Sequence, residues 1–275
     1  MQVKLRFGPA GMPLALKGKT LSEGIEYTAS IGLHAFEIEY VRGVRLKREE
    51  GIKAKQAAEK NDVLLSCHAP YYINCCSPIK IKQQIAIRNI IQTARAAEIL
   101  GARIIVFHPG YYQTQSKEQA MKNCISVLKQ ALQKMKSEKL HTRLGTELTG
   151  KPSAFGSLEE IIELAKKIDI YPVIDFAHHH ARNNGCIKER GDYEKIFAEI
   201  KKGLGSEYLK GLHCHFSELV YTEKGERFHI PIFTKNSPNL KWLAEIIKSR
   251  RYKFTMISES PMLEKDALKM QKACI

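Results

Sequence analysis

The feature that most constrains the fold is a change of apolar period repeated along the whole chain. Short strand-like runs occur at residues 3–7, 35–40, 63–68, 103–108, 142–147, 171–175, 209–215 and 254–259. Between them, apolar residues recur at helical spacing over 21–31, 48–61, 81–101, 117–137, 157–168, 192–203, 239–250 and 263–273. Ser157-Leu-Glu-Glu reads as an N-cap followed by early acids, a helix start. Eight strand–helix units in 275 residues predict a (β/α)8 TIM barrel, α/β in class, as a single domain over 1–275. An open doubly wound sheet uses the same units. No G-x-G-x-x-G follows the first strand, which disfavours a dinucleotide, and no organic cofactor is expected.

The longest stretches without periodicity, about 69–78, 176–191 and 216–238, all follow strands. In a barrel, such loops build the active-site face. The chemistry-bearing residues gather there too. Of ten histidines, His68, His108, His178, His179, His180, His213, His215 and His229 lie at or just beyond a predicted strand end, and only His34 and His141 do not. Glu147, Asp175 and Glu259 join them. Side chains alternate along a strand, so His213 and His215 share a face while Cys214 points away. The same parity turns Glu147 and Glu259 inward and Cys67 outward. A single strand-end histidine is usually a hydrogen-bonded structural residue; five strands ending in His, Asp or Glu are harder to explain that way. Mixed imidazole and carboxylate ligands suit zinc, and also manganese or iron. Several carboxylates shared among many histidines predict a site with more than one ion. Paired metals are a recurrent device for cleaving phosphodiesters.

Charge points the same way. Lys plus Arg is 44 and Asp plus Glu is 29, a net +15, which favours a polyanionic partner. No run of about 18 apolar residues predicts a membrane span, and the first residues lack the apolar core of a signal peptide. The seven cysteines contain no C-x-x-C pair and read as reduced thiols of a cytoplasmic protein.

The motifs, in order from CHAPYYIN to SESP, resemble those of the endonuclease IV family, the metal-dependent apurinic/apyrimidinic endonucleases of base-excision repair. CHAPYYIN supplies His68, VFHPG supplies His108, and GTELTGKPSAFGS supplies Glu147. Asp175-Phe-Ala-His178 matches a D-x-x-H motif, YLKGLHCH holds His213 and His215, and ISESP ends on Glu259. The resemblance implies a (β/α)8 barrel with a zinc site of up to three ions, with manganese as a substitute. It also implies hydrolysis of DNA on the 5′ side of abasic sites, leaving a 3′-hydroxyl and a 5′-deoxyribose phosphate. Glu147 and Glu259 are the candidate catalytic carboxylates. The candidate ligands are His68, His108, Glu147, Asp175, His178, His213, His215, Glu226, His229 and Glu259.

Two departures stand out. Two same-face histidines, His213 and His215, occupy the seventh strand where one ligand is needed. The family's D-x-H tripeptide reads Arg227-Phe228-His229, with Glu226 the nearest upstream acid. A third ion is therefore expected on His229, one of His213 or His215, and Glu226. The expected partner is double-stranded DNA containing abasic sites, bound by a monomer. Tyr71 and Tyr72 are candidates to wedge into the duplex; Arg42, Arg45, Lys47, Arg182 and Arg227 are candidates for phosphate contacts. The alternatives are a divalent-metal sugar isomerase or epimerase on the same barrel, and a non-catalytic nucleic-acid-binding protein.

Overall fold

The apolar runs form eight parallel strands side by side. They are β1 (Arg6–Pro9), β2 (Ala35–Glu39), β3 (Leu64–His68), β4 (Ile104–Phe107), β5 (Arg143–Glu147), β6 (Tyr171–Asp175), β7 (His213–Phe216) and β8 (Thr255–Ser258). The computed structural model describes residues 4–275, so Val3 of the expected first strand lies outside the described residues. Neighbouring strands pair in the order β1-β8-β7-β6-β5-β4-β3-β2. The ring is drawn together between β1 and β2 by a parallel bridge from Ala10 to Glu37. His34 N donates to Phe7 O at 3.1 Å and Gly11 N to Glu37 O at 2.8 Å across that seam. The expected (β/α)8 TIM barrel is the observed architecture.

The strands are buried on both faces, as helices outside a parallel barrel require. Inside, Ile104, Val106 and Val173 form a small apolar plug. Outside, two larger cores fill the space beneath the helices, one under β2 to β5 and one under β6 to β8 and β1. The helices α1 (Leu21–Ser30), α2 (Arg48–Lys60), α3 (Lys80–Leu100), α4 (Lys117–Ser137) and α5 (Leu158–Lys167) follow the first five strands. Thr20 and Ser157 begin α1 and α5 with reciprocal capping boxes to Glu23 and Glu160.

Three features depart from the sequence expectation. Residues 176–182 are not loop but a short helix, α6 (Phe176–Arg182), started by the Asp175 carboxylate accepting from His178 N at 2.7 Å. The stretch after β7 contains an antiparallel hairpin, Glu218–Thr222 with Gly225–Ile230. The seventh strand begins at His213, because Ser206–Lys210 forms a 3-10 turn. Helices α7 (Arg190–Leu204), α8 (Leu240–Arg250) and α9 (Glu264–Cys274) complete the outer ring among the described residues.

Gly8 occupies the β1–β2 seam, where any Cβ would overlap the Ala35 carbonyl. The obstacle is backbone on the adjoining strand, so it cannot swing aside. Gly8→Ala should cost about 3 kcal/mol, the upper range for overpacking, read as a lowered urea midpoint with an unchanged m-value. A variant as stable as wild type would mean that the seam is not tight.

Candidate metal centre

Six strands, β3 to β8, each deliver a polar side chain near their C-terminal ends. His68 ends β3, Glu147 ends β5 and Asp175 ends β6; His108 and Glu259 come one residue after β4 and β8. His178 rides the first turn of α6, His215 faces in from β7, and His229 hangs from the hairpin. These groups converge. Glu147 is fully buried, with one carboxylate oxygen 3.0 Å from both His68 Nε2 and His108 Nε2. Its other oxygen lies 3.1 Å from His215 Nδ1 and 3.2 Å from His178 Nδ1. Glu259 stands 3.1 Å from His215 Nδ1 and 3.8 Å from His229 Nε2.

Four clusters among the described residues are able to hold metal, each with its ligand atoms within 4.8 Å of one another: His68, His108 and Glu147; Glu147, Asp175, His178 and Glu259; His178, His229 and Glu259; and, beneath these three, Glu37, His213 and His215. A buried oxygen supports the fit. Asp175 Oδ2 is shielded from solvent and lacks a hydrogen-bond partner among the described residues, a costly condition that a cation would relieve. The ring nitrogens facing away are occupied. His68 Nδ1 donates to Ala69 O at 2.9 Å, and His229 Nδ1 pairs with the Ser217 hydroxyl at 2.7 Å. Such outward bonds fix the tautomer and leave Nε2 for a metal.

The third cluster differs from its expected composition. His229 meets His178 and Glu259, and neither seventh-strand histidine belongs to that group. Glu226 enters the site against His178 Nε2 at 3.0 Å. His213 joins a different cluster, with Glu37 and His215. It begins β7, a layer deeper toward the N-terminal mouth, where its Nε2 meets Glu37 at 2.9 Å. Same-face parity was right, but two residues along a strand is a full layer of depth, and only His215 reaches Glu147 and Glu259.

Sequence reasoning missed Glu37, which is fully buried and stands at the foot of the site. One of its oxygens accepts from Ser66 Oγ at 2.7 Å and from His213 Nε2; the other lies 2.9 Å from His215 Nε2. Glu39, at the end of β2, is also close enough to act on His68. The signal was present: A-F-E-I-E alternates, placing two acids on the inward face of a strand otherwise apolar.

Burial opposes charge on all these groups, and their neighbours decide the outcome. For Glu147, His108 and His215 overcome burial and hold the carboxyl well below its usual range; for Glu259, His215 leads and the value falls to about 2. Burial would lower His68, yet Glu39 and then Glu147 raise it to about 10. His178 and His215 are raised in the same way, by Asp175 and Glu37 respectively. Burial wins at Asp175 and Glu39, pushed up to about 7 and about 8. Without metal, protons on Asp175, Glu39 and the three raised histidines offset the charge of the acids that stay ionised.

The rim around this centre is aromatic and basic. Tyr71 and Tyr72 are exposed after β3, and Arg42, Arg45 and Lys47 are exposed after β2. Tyr111, Phe228 and Phe233, which the sequence reading did not single out, are exposed on the same strand-end loops. Arg227 is exposed on the hairpin beside Phe228. Arg182 is not available to a phosphate: its side chain is buried and donates to the carbonyls of Lys151 and Ala154 at 2.6 and 2.8 Å and to the Thr149 hydroxyl at 3.0 Å. It pins the loop after β5.

The chain belongs to the xylose isomerase-like TIM barrel family, whose model matches residues 25–274. It is 35% identical to the uncharacterized protein MJ0133 of Methanocaldococcus jannaschii, over 98% of this chain and 97% of that one. It is 31% identical to a probable endonuclease 4 of Mycoplasma genitalium, over 56% of this chain and 52% of the relative, so that match spans about half of either protein. Among solved structures, endonuclease IV from Thermus thermophilus superposes with a TM-score of 0.72 at 17% identity, covering 97% of this chain and 98% of that one. A D-tagatose 3-epimerase-like protein superposes with a TM-score of 0.70 at 19% identity, covering 96% and 94%. At such identities the structural likeness speaks for the fold alone.

The pKa shifts give the metal-free protein a definite pH dependence. His68, His178 and His215 keep protons that unfolded histidines release near 6.5, so their contribution is full below that pH and is lost as pH climbs through the raised values. Asp175 and Glu39 hold protons that unfolded carboxyls have already lost, which gives the same sign. Chelator-treated protein should lose stability steadily as pH rises from about 6.5 to about 10. Added zinc should flatten that slope, as ions replace protons. Urea titrations across pH, with EDTA or with zinc, read both; a slope unchanged by zinc would count against metal at these residues.

Proposed function

We propose that this protein is a metal-dependent DNA-repair endonuclease that hydrolyses the phosphodiester 5′ to abasic sites, leaving a 3′-hydroxyl and a 5′-deoxyribose phosphate. The observation that carries this reading is the set of His–carboxylate clusters overlapping through Glu147, His178 and Glu259 at one barrel mouth. The relatives named probable endonuclease 4 support it. Two to three zinc ions, or manganese in their place, would be held by His68, His108, Glu147, Asp175, His178, His215, His229 and Glu259, with Glu226 beside His178. Bound there, the ions would supply water activation and neutralise charge on the phosphate and the leaving oxygen. The protein's own part is placement. Glu147 would be shared between ions, and Ala69, Leu148 and Ser217 hold imidazoles at fixed angles.

Exposed Tyr71, Tyr72, Tyr111 and Phe228 offer faces on which bases unstacked at the lesion could rest, and Arg42, Arg45, Lys47 and Arg227 lie where backbone phosphates would pass. A base-free sugar is cheap to expose because less stacking is lost. We place the enzyme in the cytoplasm as a monomer; its unpaired cysteines suit a reducing compartment. No described helix is long and apolar enough to cross a membrane.

Incision of a synthetic abasic duplex by zinc-loaded protein should yield a single nick 5′ to the lesion. Glu147→Gln should fold and lose at least about a thousand-fold in rate, a loss of transition-state charge stabilisation of the usual size for such groups. Failure of wild type to nick, with turnover of a ketohexose instead, would favour the epimerase reading; a shifted but intact duplex would favour a binding module.

Affinity for intact duplex should fall linearly in log–log plots against salt, by about 0.9 for each phosphate neutralised. Arg42→Gln should reduce that slope by about one. Filter binding or fluorescence anisotropy between about 50 and about 200 mM salt measures it, and a flat line would remove the phosphate-tracking surface.

A further inference from the structure

The opposite mouth of the barrel holds a second cavity, of about 300 Å³, at the N-terminal ends of β4–β7. Its walls include Arg103, Arg143, Tyr171, Tyr208 and Lys210, with His213 at its floor. Of these residues only His213 belongs to a His–carboxylate cluster, the one with Glu37 and His215; the clusters that overlap at the other mouth use none of them.

The charges in this cavity are unusual. Lys210 is satisfied by Glu207 at 2.7 Å. Arg103 and Arg143 have no ion-pair partner among the described residues, and they stand close enough to repel one another. Arg103 is half-buried, and burial followed by the Arg143 charge lowers its hold on its proton. Most cations of this +15 chain sit on helix faces, where water screens them. Two adjacent guanidiniums in a concavity are a different matter: each carries a planar fork of donors that matches phosphate oxygens. Arg143 also lies over the Tyr171 ring at 4.4 Å from its centroid, which holds the guanidinium in one plane. Tyr208 lies 6.0 Å from Tyr171, tilted by 41°, and extends the aromatic wall.

We propose that this N-terminal mouth binds a nucleoside monophosphate, with Arg103 and Arg143 on the phosphate and Tyr208 against the base. A bare phosphate would leave most of the cavity unfilled, and a ligand pocket of this size accommodates one mononucleotide. The aromatic wall gives the remaining volume a planar occupant. The site is separate from the metal centre and does not depend on the activity assigned to it.

Isothermal titration of the purified, metal-loaded protein with adenosine 5′-monophosphate, adenosine and inorganic phosphate tests this. The monophosphate should bind at sub-millimolar concentration, with adenosine and phosphate each at least about tenfold weaker, equivalent to about 1.4 kcal/mol. Arg143→Gln, at an exposed position, should weaken monophosphate binding at least about tenfold while leaving metal content and duplex incision unchanged. Tyr208→Leu should weaken the monophosphate but not phosphate. Absence of binding overturns the proposal. So does binding that Arg143→Gln leaves intact, since the nucleotide would then be held at the metal centre, and so does phosphate binding as tightly as the monophosphate.

Discussion

A buried carboxylate, Glu147, is the group on which the centre depends. It has no exposure to solvent, and four imidazoles approach its two oxygens within 3.2 Å. An isolated anion at that depth would cost several kcal/mol or more. The fold tolerates it because His68, His108, His178 and His215 arrive from four different elements at one point. Three of them, His68, His178 and His215, are in turn oriented by a second group, and the orienting groups come from elements already required by the barrel. The Ala69 and Leu148 carbonyls lie just past β3 and β5. Ser66 and Glu37, beneath His215, belong to β3 and β2.

Much of this was legible because the two periodicities are so regular. Strand parity alone identified the inward faces of β5 and β7 and dismissed Cys67 and Cys214 as ligands. Both thiols are buried on the side away from the site, and burial pushes them up. What parity cannot supply is depth along the barrel axis. His213 and His215 are equivalent by that rule, yet one lies with Glu37 beneath the site and the other at its centre. Glu37 itself went unread because attention fell on strand ends and on histidines, while this acid lies mid-strand. Arg182 shows the converse limit: a cation next to a histidine run looks solvated in sequence, and only tertiary structure reveals the carbonyls of the β5 loop that consume it. The hairpin between β7 and β8 escaped because its alternation is short and mixed with charge.

The sign of the charge changes sharply between the surface and the site. The chain carries +15 overall, while Glu37, Glu39, Glu147, Asp175, Glu226 and Glu259 gather at one mouth. A polyanion drawn by the outer field toward that mouth would meet a concentration of carboxylates. Neutral imidazoles cannot balance them, and protonated imidazoles do so only by giving up their lone pairs. Divalent ions resolve both difficulties: they reverse the local potential, and they let the histidines coordinate in the neutral form. On the proposed function, metal at this site would thus be required before any chemistry begins, because without it the basic exterior steers DNA to a mouth that repels its phosphates. The exposed Arg227 beside His229 fits that logic. It lies on the outer side of the hairpin, where positive charge can guide a phosphate, while Glu226, one residue earlier and of opposite parity, turns toward His178 and stays with the ions.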